Sequence, residues 1–352
     1  MPLFMDIHTV DSDQFTAEDV VKAHMEDLAV QDRFDVKQLK YWVNEKAKTI
    51  FCLMEGPDKE ACNQVHLQSH GNTACNIIEV SDDEYQLFMG QGSDINDLAT
   101  RDGGGLDPGY RTILLVKIVR FEKTASDFDK KLNQAIRQYN GRIIREPNAY
   151  TMVTFHLAND AMACAMTIHD QLEAHCGHLE YSLAIISGRP VDEEGDTFFE
   201  ETKRTAKGLC ALGLHNQLYL DKITQDLCDK ESSPEKPFTL LNQSEISFLL
   251  LLHQTIENRL NQSDFTTEEL FTELSMSKSQ ANRKIKNLTD RSPNQIIQEV
   301  RLLHAINWMT DTGKTMAEIA YESGFNSPTY FSRLFKKRFG LSPTAFMAES
   351  IK

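Results

Sequence analysis

Two sets of residues in this 352-residue chain have the types and spacing that chemistry needs. The first is a pattern written twice near the C-terminus: TTEELFTELSMSKSQANRKIKNLTDRSP, ending at Pro293, and TMAEIAYESGFNSPTYFSRLFKKRFGLSP, ending at Pro343. In each copy an acidic, helix-forming stretch meets a small residue (Ser275; Gly324) and then an apolar one (Met276; Phe325). A serine then opens a second helix. Ser277 and Ser327 are good N-caps, and Pro328 suits the first helical position, where its missing N–H costs nothing. This is the sequence form of helix–turn–helix, and a duplicated one is a candidate two-pronged reader of double-stranded DNA.

On the second helices, Ala281, Ile285 and Leu288 in one copy, and Phe331, Leu334 and Phe335 in the other, are spaced to face a core. The remaining faces carry Lys278, Ser279, Asn282, Arg283 and Lys286, and, from Ser327 onward, Thr329, Ser332, Arg333, Lys336 and Lys337. These side chains can bond phosphates or base edges. A Lys/Arg helix face is usually plain solvated surface. Two such faces at the same place in a repeat, each after a small-residue turn, are a much rarer coincidence.

The second set is histidine. His66 and His70 lie four apart, so both imidazoles share one helix face, a spacing that can hold a divalent metal. His8 and His24 complete a set only if the fold brings them to it; otherwise these histidines cap, or bond within, a small core. His175-Cys176-Gly177-His178 has metal-type residues in a loop but no clear fourth ligand, and is read as incidental.

The elements that must position these residues fall into several domains, because 352 residues exceed what one core usually fills. Residues 1–89 read β-α-β-β-α-β, the ferredoxin-like split unit, with Thr16 capping the first helix and Gly71 closing the second. Residues 90–109 are small, polar and glycine-rich, and read as a flexible linker. Residues 110–228 alternate strand and helix as a second α+β domain. Residues 229–240 read as another linker, and 241–352 as an all-α domain in which the apolar helix from Ser292-Pro293 to about Thr310 joins the two copies.

Composition sets the outer limits. With 41% hydrophobic and 25% charged residues the chain reads as an ordinary soluble protein. The N-terminus lacks a basic region and a long apolar stretch, and no apolar run is long enough for a membrane span. Seven cysteines without a CxxC pair point to reduced thiols and a cytoplasmic location. Net charge is −15, but twelve Lys/Arg against six Asp/Glu from Ser275 onward leave +6 there and −21 on the rest. A basic end on an acidic body meets phosphates locally.

Three resemblances add to this reading. The C-terminal hundred residues, above all MAEIAYESGFNSPTYFSRLFKKRFGLSPTAF, resemble the AraC-type transcription regulator DNA-binding domain, which implies two helices entering successive major grooves about one helical turn apart. The first copy departs from the family at Ala281, where a larger apolar residue is usual, and at Ser275, where glycine is common. DIHTV, KAHMEDLAVQ, LKYWVNE, FCLMEGPD and VHLQSHG resemble a small nickel-responsive family, which implies a metal such as nickel or zinc. The run AKGLCALGLHNQLYLDKITQDL and the elements before it resemble a class III nucleotidyl cyclase domain, which implies homodimerisation. That family holds its metals with two aspartates, and here Lys117 and Ala149 stand in their places, with Arg204 and Gly208 near the transition-state asparagine and arginine. A lysine repels a metal and an alanine cannot ligate one.

The expectation is therefore a non-enzymatic DNA-binding transcription regulator, a homodimer whose acidic body senses a metal or small-molecule effector. The rivals are a nucleotidyl cyclase governed by its attached domains, and a metal-binding protein with incidental DNA contacts.

Overall fold

The computed structural model describes every residue except 13–14, 102–103, 122–126, 146–149, 175–178, 214–215, 230–237, 312 and 351–352. Contacts divide it into two units. The first is Met1–Ile113 with Thr154–Ala158 and Ser187–Arg204, and the second is Leu114–Val153 with Asn159–Ile186 and Thr205–Lys352.

The first unit opens with β1 (Leu3–Thr9), α1 (Ala17–Val30), β2 (Lys37–Asn44), β3 (Thr49–Glu55), α2 (Lys59–Ser69) and β4 (Asn76–Val80). Its strands lie in the order β4-β1-β3-β2, each neighbouring pair antiparallel, as the β-α-β-β-α-β reading requires. Local chemistry sets the helix ends. Thr16 and Asp19 form a capping box on α1, and Asp58 caps α2. At its far end Gly71, at φ +80°, donates to the His66 carbonyl at 2.9 Å.

The 90–109 segment is not the flexible linker that its glycines suggest. After α3 (Asp82–Phe88), a hairpin of β5 (Ser93–Ile95) and β6 (Leu98–Thr100) extends the sheet to β4-β1-β3-β2-β6-β5. Its two-residue turn, Asn96-Asp97, has φ +49° and +67°, the left-handed pair that tight hairpins favour. Asp107, 2% exposed, then takes both ends of the Arg111 guanidinium at 3.0 and 2.9 Å and the Trp42 indole N–H at 3.2 Å. Gly109 is left-handed too, and a Cβ there would lie 2.8 Å from the Phe51 ring. The glycine serves close approach here, and the buried ion pair fixes the segment.

A second sheet is built from β7 (Arg111–Arg120), β8 (Arg142–Ile144), β9 (Tyr150–Phe155), β10 (Leu179–Gly188), β11 (Gln217–Asp221) and β12 (Phe238–Leu241), in the order β12-β11-β10-β7-β9-β8. Between them run α4 (Asp127–Gln138), α5 (Ala158–Glu173), α6 (Glu200–Ala211) and α7 (Lys222–Leu227). Strand and helix alternate over 110–228 as expected, except that β8 and β9 follow one another with no helix described between them. Of the expected 229–240 linker, residues 230–237 lie outside the described residues, and Phe238–Leu241 is strand β12, parallel to β11.

The helical end follows: α8 (Gln243–Asn258), α9 (Thr267–Glu273), α10 (Lys278–Thr289), α11 (Pro293–Asp311), α12 (Met316–Glu322), α13 (Pro328–Phe339) and α14 (Pro343–Ser350). Ile296, Ile297, Val300, Leu303, Ile306 and Met309 of α11 are all buried. Phe331, Phe335 and Phe339 of α13 share a core with Leu302, Ile306, Phe325 and Phe346. The chain's two tryptophans fall one to each unit. Trp42 is fully buried in the first, and Trp308 in the second donates to the His304 ring at 2.8 Å beneath the Lys314 ammonium.

Candidate functional site

The duplicated pattern becomes a duplicated structure. In the first copy α9 leads into α10 through Ser275, held at φ +53°; in the second α12 leads into α13 through Gly324 at φ +78°. The next residue closes both turns alike: Met276 N–H donates to the Phe271 carbonyl at 3.0 Å, and Phe325 N–H to the Ala320 carbonyl at 2.9 Å. One residue, Asn326, is extra in the second turn. A Cβ on Gly324 would lie 1.9 Å from the Leu260 carbonyl oxygen, so only glycine fits there, whereas Ser275 is exposed and carries its Cβ freely. Both helices then end on a left-handed residue, Asp290 after α10 and Gly340 after α13.

Equivalent positions, fifty apart, have matching environments. From 281 to 289 and from 331 to 339, buried, intermediate and exposed residues follow one another in the same sequence. The seating residues are Ala281, Ile285 and Thr289 in α10 and Phe331, Phe335 and Phe339 in α13. Leu288 and Leu334, expected to face the core, are partly buried, and Leu334 packs against the aromatic core of the second copy. Thr289 takes the third seat, its hydroxyl donating to the Ile285 carbonyl at 2.7 Å.

Lys278, Ser279, Arg283 and Lys286 of α10 are exposed, as are Thr329, Arg333, Lys336 and Lys337 of α13; Asn282 and Ser332 are partly so. Among the described residues no carboxylate lies within ion-pair distance of Arg283, Lys286, Arg333, Lys336 or Lys337. Lys278 reaches Glu268 at 3.3 Å, and Asn282 donates its amide to the Lys278 carbonyl at 2.7 Å. The Arg333 guanidinium sits 5.5 Å from the Tyr330 ring centroid. The Ser327 hydroxyl caps its own helix, accepting from the Tyr330 N–H at 3.3 Å, and keeps a proton that it can donate.

The N-terminal histidines form a buried imidazole–carboxylate cluster. His66 Nε2 lies 2.9 Å from Asp6 and its Nδ1 3.0 Å from Asp27, so one ring bridges two carboxylates. His8 reaches Asp6 at 3.2 Å, His70 reaches Asp27 at 3.3 Å, and the Cys52 N–H donates to Asp6 at 2.9 Å. Burial alone would weaken the charged form of His66, but bonds to Asp27 and Asp6 override it and raise its pKa to about 10. Burial would likewise raise Asp6 and Asp27; contacts with His8 and His66, and with His66 and His70, instead hold both below the usual carboxylate range. Burial and the two carboxylates push the Cys52 thiol well up.

Two donor sets converge within 4.8 Å: Asp6, His8, Cys52 and His66; and Asp27, His66 and His70. His66, His70 and His8 are thus brought together. His24 belongs to neither set; its Nε2 meets Asp97 at 3.2 Å and its ring lies 4.4 Å from that of Tyr41. All four histidines line a cavity of about 430 Å³ with Val10, Val20, Ala23 and Ile50. Sequence spacing pointed to His66 and His70, but not to Asp6 and Asp27, the carboxylates that govern them. Those come from β1 and α1, and a hint lay in one short stretch, Asp6-Ile7-His8, placing an acid and an imidazole on the same face of a strand.

Lys117 donates its ammonium to the Cys210 carbonyl at 3.3 Å, and burial pulls its pKa down. Gly208 lies in α6, where a Cβ would meet Leu250 at 2.3 Å. Ala149 and His175-Cys176-Gly177-His178 lie outside the described residues.

Two family models match. "Helix-turn-helix domain" covers residues 270–349, and "Nickel responsive protein SCO4226-like" covers residues 4–80. The HTH-type transcriptional activator RhaR of Mannheimia succiniciproducens is 26% identical over 152 residues, 43% of this chain and 52% of that protein. Histidine kinase P4 of Formosa agariphila is 33% identical over 91 residues, 26% of this chain but 7% of that protein. The chain thus spans about half of one of these relatives and a small part of the other. SCO4226 of Streptomyces coelicolor A3(2), a solved structure, is 37% identical over 22% of this chain and 94% of that one, with a TM-score of 0.21. The C-terminal region is a helix–turn–helix domain. More particularly, it is one of the AraC type, on a chain whose N-terminal residues match the nickel-responsive family. Among the described residues no helix is long and apolar enough to cross a membrane.

Proposed function

We propose that the protein is a sequence-specific DNA-binding transcription regulator that reads double-stranded DNA with α10 and α13. The observation that carries this is the positional match of the two helices. Each follows a turn closed by the same backbone bond, buries the same three positions and turns to solvent cations that have no carboxylate partner among the described residues. Arg283, Lys286, Arg333, Lys336 and Lys337 are the charged contacts, with Lys278, Ser279, Asn282, Ser327, Thr329 and Ser332 beside them, Ser327 also capping its helix. Selection from random-sequence duplexes with the full chain tests this: enrichment of a defined sequence is expected, and no enrichment above bulk refutes it.

The N-terminal cavity is the effector site in this reading. Asp6, His8, Cys52 and His66 fit a divalent ion such as nickel or zinc, since an oxygen, two imidazole nitrogens and a sulfur converge. To ligate, His66 must surrender a ring proton now directed at a carboxylate, so uptake releases protons and weakens as pH falls. His70 and Asp27 form, with His66, the second donor set. A bound ion would supply positive charge between two carboxylates now neutralised by His66. Calorimetry with nickel and zinc, on wild type and on His66→Ala/His70→Ala, decides the ligands; unchanged binding by the double variant removes them.

The middle α+β domain is proposed as a cyclase-like shell that dimerises and performs no cyclisation. Support comes from Lys117, whose ammonium, bonded to the Cys210 carbonyl, sits where that chemistry needs a metal-binding carboxylate. A dimer carries four recognition helices and favours repeated half-sites. No cyclic nucleotide is expected on incubation with ATP or GTP and divalent metal, and measurable product overturns this part.

A further inference from the structure

The two recognition helices are alike on the face turned to solvent and differ on the back. At the position where α10 has Leu288, α13 has Arg338. At about 100° per residue, Arg338 lies about 140° round the helix from Arg333 and within about 20° of the core residue Phe331. It is therefore a cation on the side away from the solvent-facing cations.

Its guanidinium is held by two carboxylates. To Glu299 of α11 it makes Nε and terminal N–H bonds of 2.8 and 2.9 Å, and to Glu180 of β10 it makes two bonds of 2.7 Å. Both are fork-to-carboxylate pairs, the geometry that fixes orientation as well as charge. Glu299 is 2% exposed, so its place is set by packing. A Cβ on Gly213, in the turn after α6, would lie 2.7 Å from Glu299 Cγ and 2.6 Å from Leu303. The Phe121 ring, just beyond β7, lies tilted 5.3 Å from that of Phe339 and 6.3 Å from that of Phe346. The backs of α11 and α13 thus rest on β7, β10 and the α6 turn of the middle domain.

We propose that Arg338 is a positioning residue for DNA reading, and that the middle sheet, through Glu180, helps set the pose of the second recognition helix. One guanidinium can keep both forks only while β10 and α11 hold their spacing. A displacement of β10 must either break a fork or turn the last turn of α13. At the matching position α10 has Leu288, which carries no charge to make such forks, and just beyond α10 Arg291 approaches the same Glu299 only at 3.9 Å. The proposal rests on the DNA-reading function above.

The test uses the full chain and Glu180→Gln, which keeps the shape and removes the charge of a partly exposed carboxylate. Two duplexes are compared: one selected by wild type from a random library, and one scrambled over the bases whose contribution Arg333→Ala abolishes. Glu180→Gln is expected to bind the intact duplex about 2- to 5-fold more weakly and the scrambled one within about 1.5-fold of wild type, the scale of one partly exposed charge pair. Without DNA, amide exchange at residues 336–340 should quicken. Equal affinity on the intact duplex, an equal loss on both duplexes, or unchanged exchange overturns the proposal. If wild type selects no duplex, the DNA-reading function fails instead, and the exchange measurement still decides whether Glu180 anchors α13.

Discussion

Gly324→Ala should unseat the second reading prong, and the size of the effect follows from the turn. At φ +78° the backbone is left-handed, which costs a residue with a Cβ about 1–2 kcal/mol. The new methyl would stand 1.9 Å from the Leu260 carbonyl oxygen and 2.7 Å from Arg301 Nε. Neither can yield freely, since the first is backbone and the second belongs to a side chain 8% exposed that donates to the Gln262 carbonyl at 2.6 Å. Overpacking of this kind adds about 1–3 kcal/mol, for a total of roughly 2–5 kcal/mol. Ser275→Ala is the control, because Ser275 already bears a Cβ in the same conformation and is exposed; a change within about 0.5 kcal/mol is expected. Amide exchange across α9 and α10 for Ser275→Ala, and across α11 to α13 for Gly324→Ala, measures each locally, without assuming that a multidomain chain unfolds in one step. If Gly324→Ala protects these amides as well as wild type does, the account of the turn is wrong.

Other predictions concern the charges. Arg283→Ala and Arg333→Ala should each weaken binding to a selected duplex by about 1–3 kcal/mol if they read bases; phosphate contacts would instead give a uniform loss and a salt slope smaller by about one, and titrations at several salt concentrations separate the cases. His66→Ala in the metal-free protein should destabilise the first unit by about 3–5 kcal/mol, since it leaves Asp6 and Asp27 buried without their shared cation; retained exchange protection in β1 and α1 would contradict this. Because the folded pKa of His66, about 10, stands above its ordinary 6.5, its contribution is complete below pH 6.5 and fades as pH rises towards 10. Asp6 and Asp27 have lowered values, so theirs is present above the ordinary carboxylate pKa of 3.8 and fades as pH falls below it. Denaturation followed at pH 5, 7 and 9.5 should show this unit weakest at the highest of the three.

The sequence was most legible where the determinants are local. Ser277 and Ser327 before their helices, Gly71 after α2 and the doubled turn all act within five residues of themselves, and each appears where its spacing placed it. Legibility fell with sequence distance. His66 was a plausible ligand from its neighbour His70, but Asp6 lies sixty residues away and Asp27 thirty-nine, and these two decide its protonation. Glu180 and Arg338, 158 apart, are ordinary surface charges to any local rule. The 90–109 stretch misled for a different reason. Glycine marks both slack chain and tight approach, and Gly109 against Phe51 is the second kind.

The placing of the two tryptophans has a practical consequence. With Trp42 buried beside Asp107 in the first unit and Trp308 beneath an ammonium and next to an imidazole in the second, intrinsic fluorescence carries one reporter for each unit. An effector entering the N-terminal cavity and a duplex meeting the helical end should therefore write to separate emitters. Substituting Trp308 by phenylalanine assigns the two signals. A titration followed by light alone can then tell which half of the chain has answered.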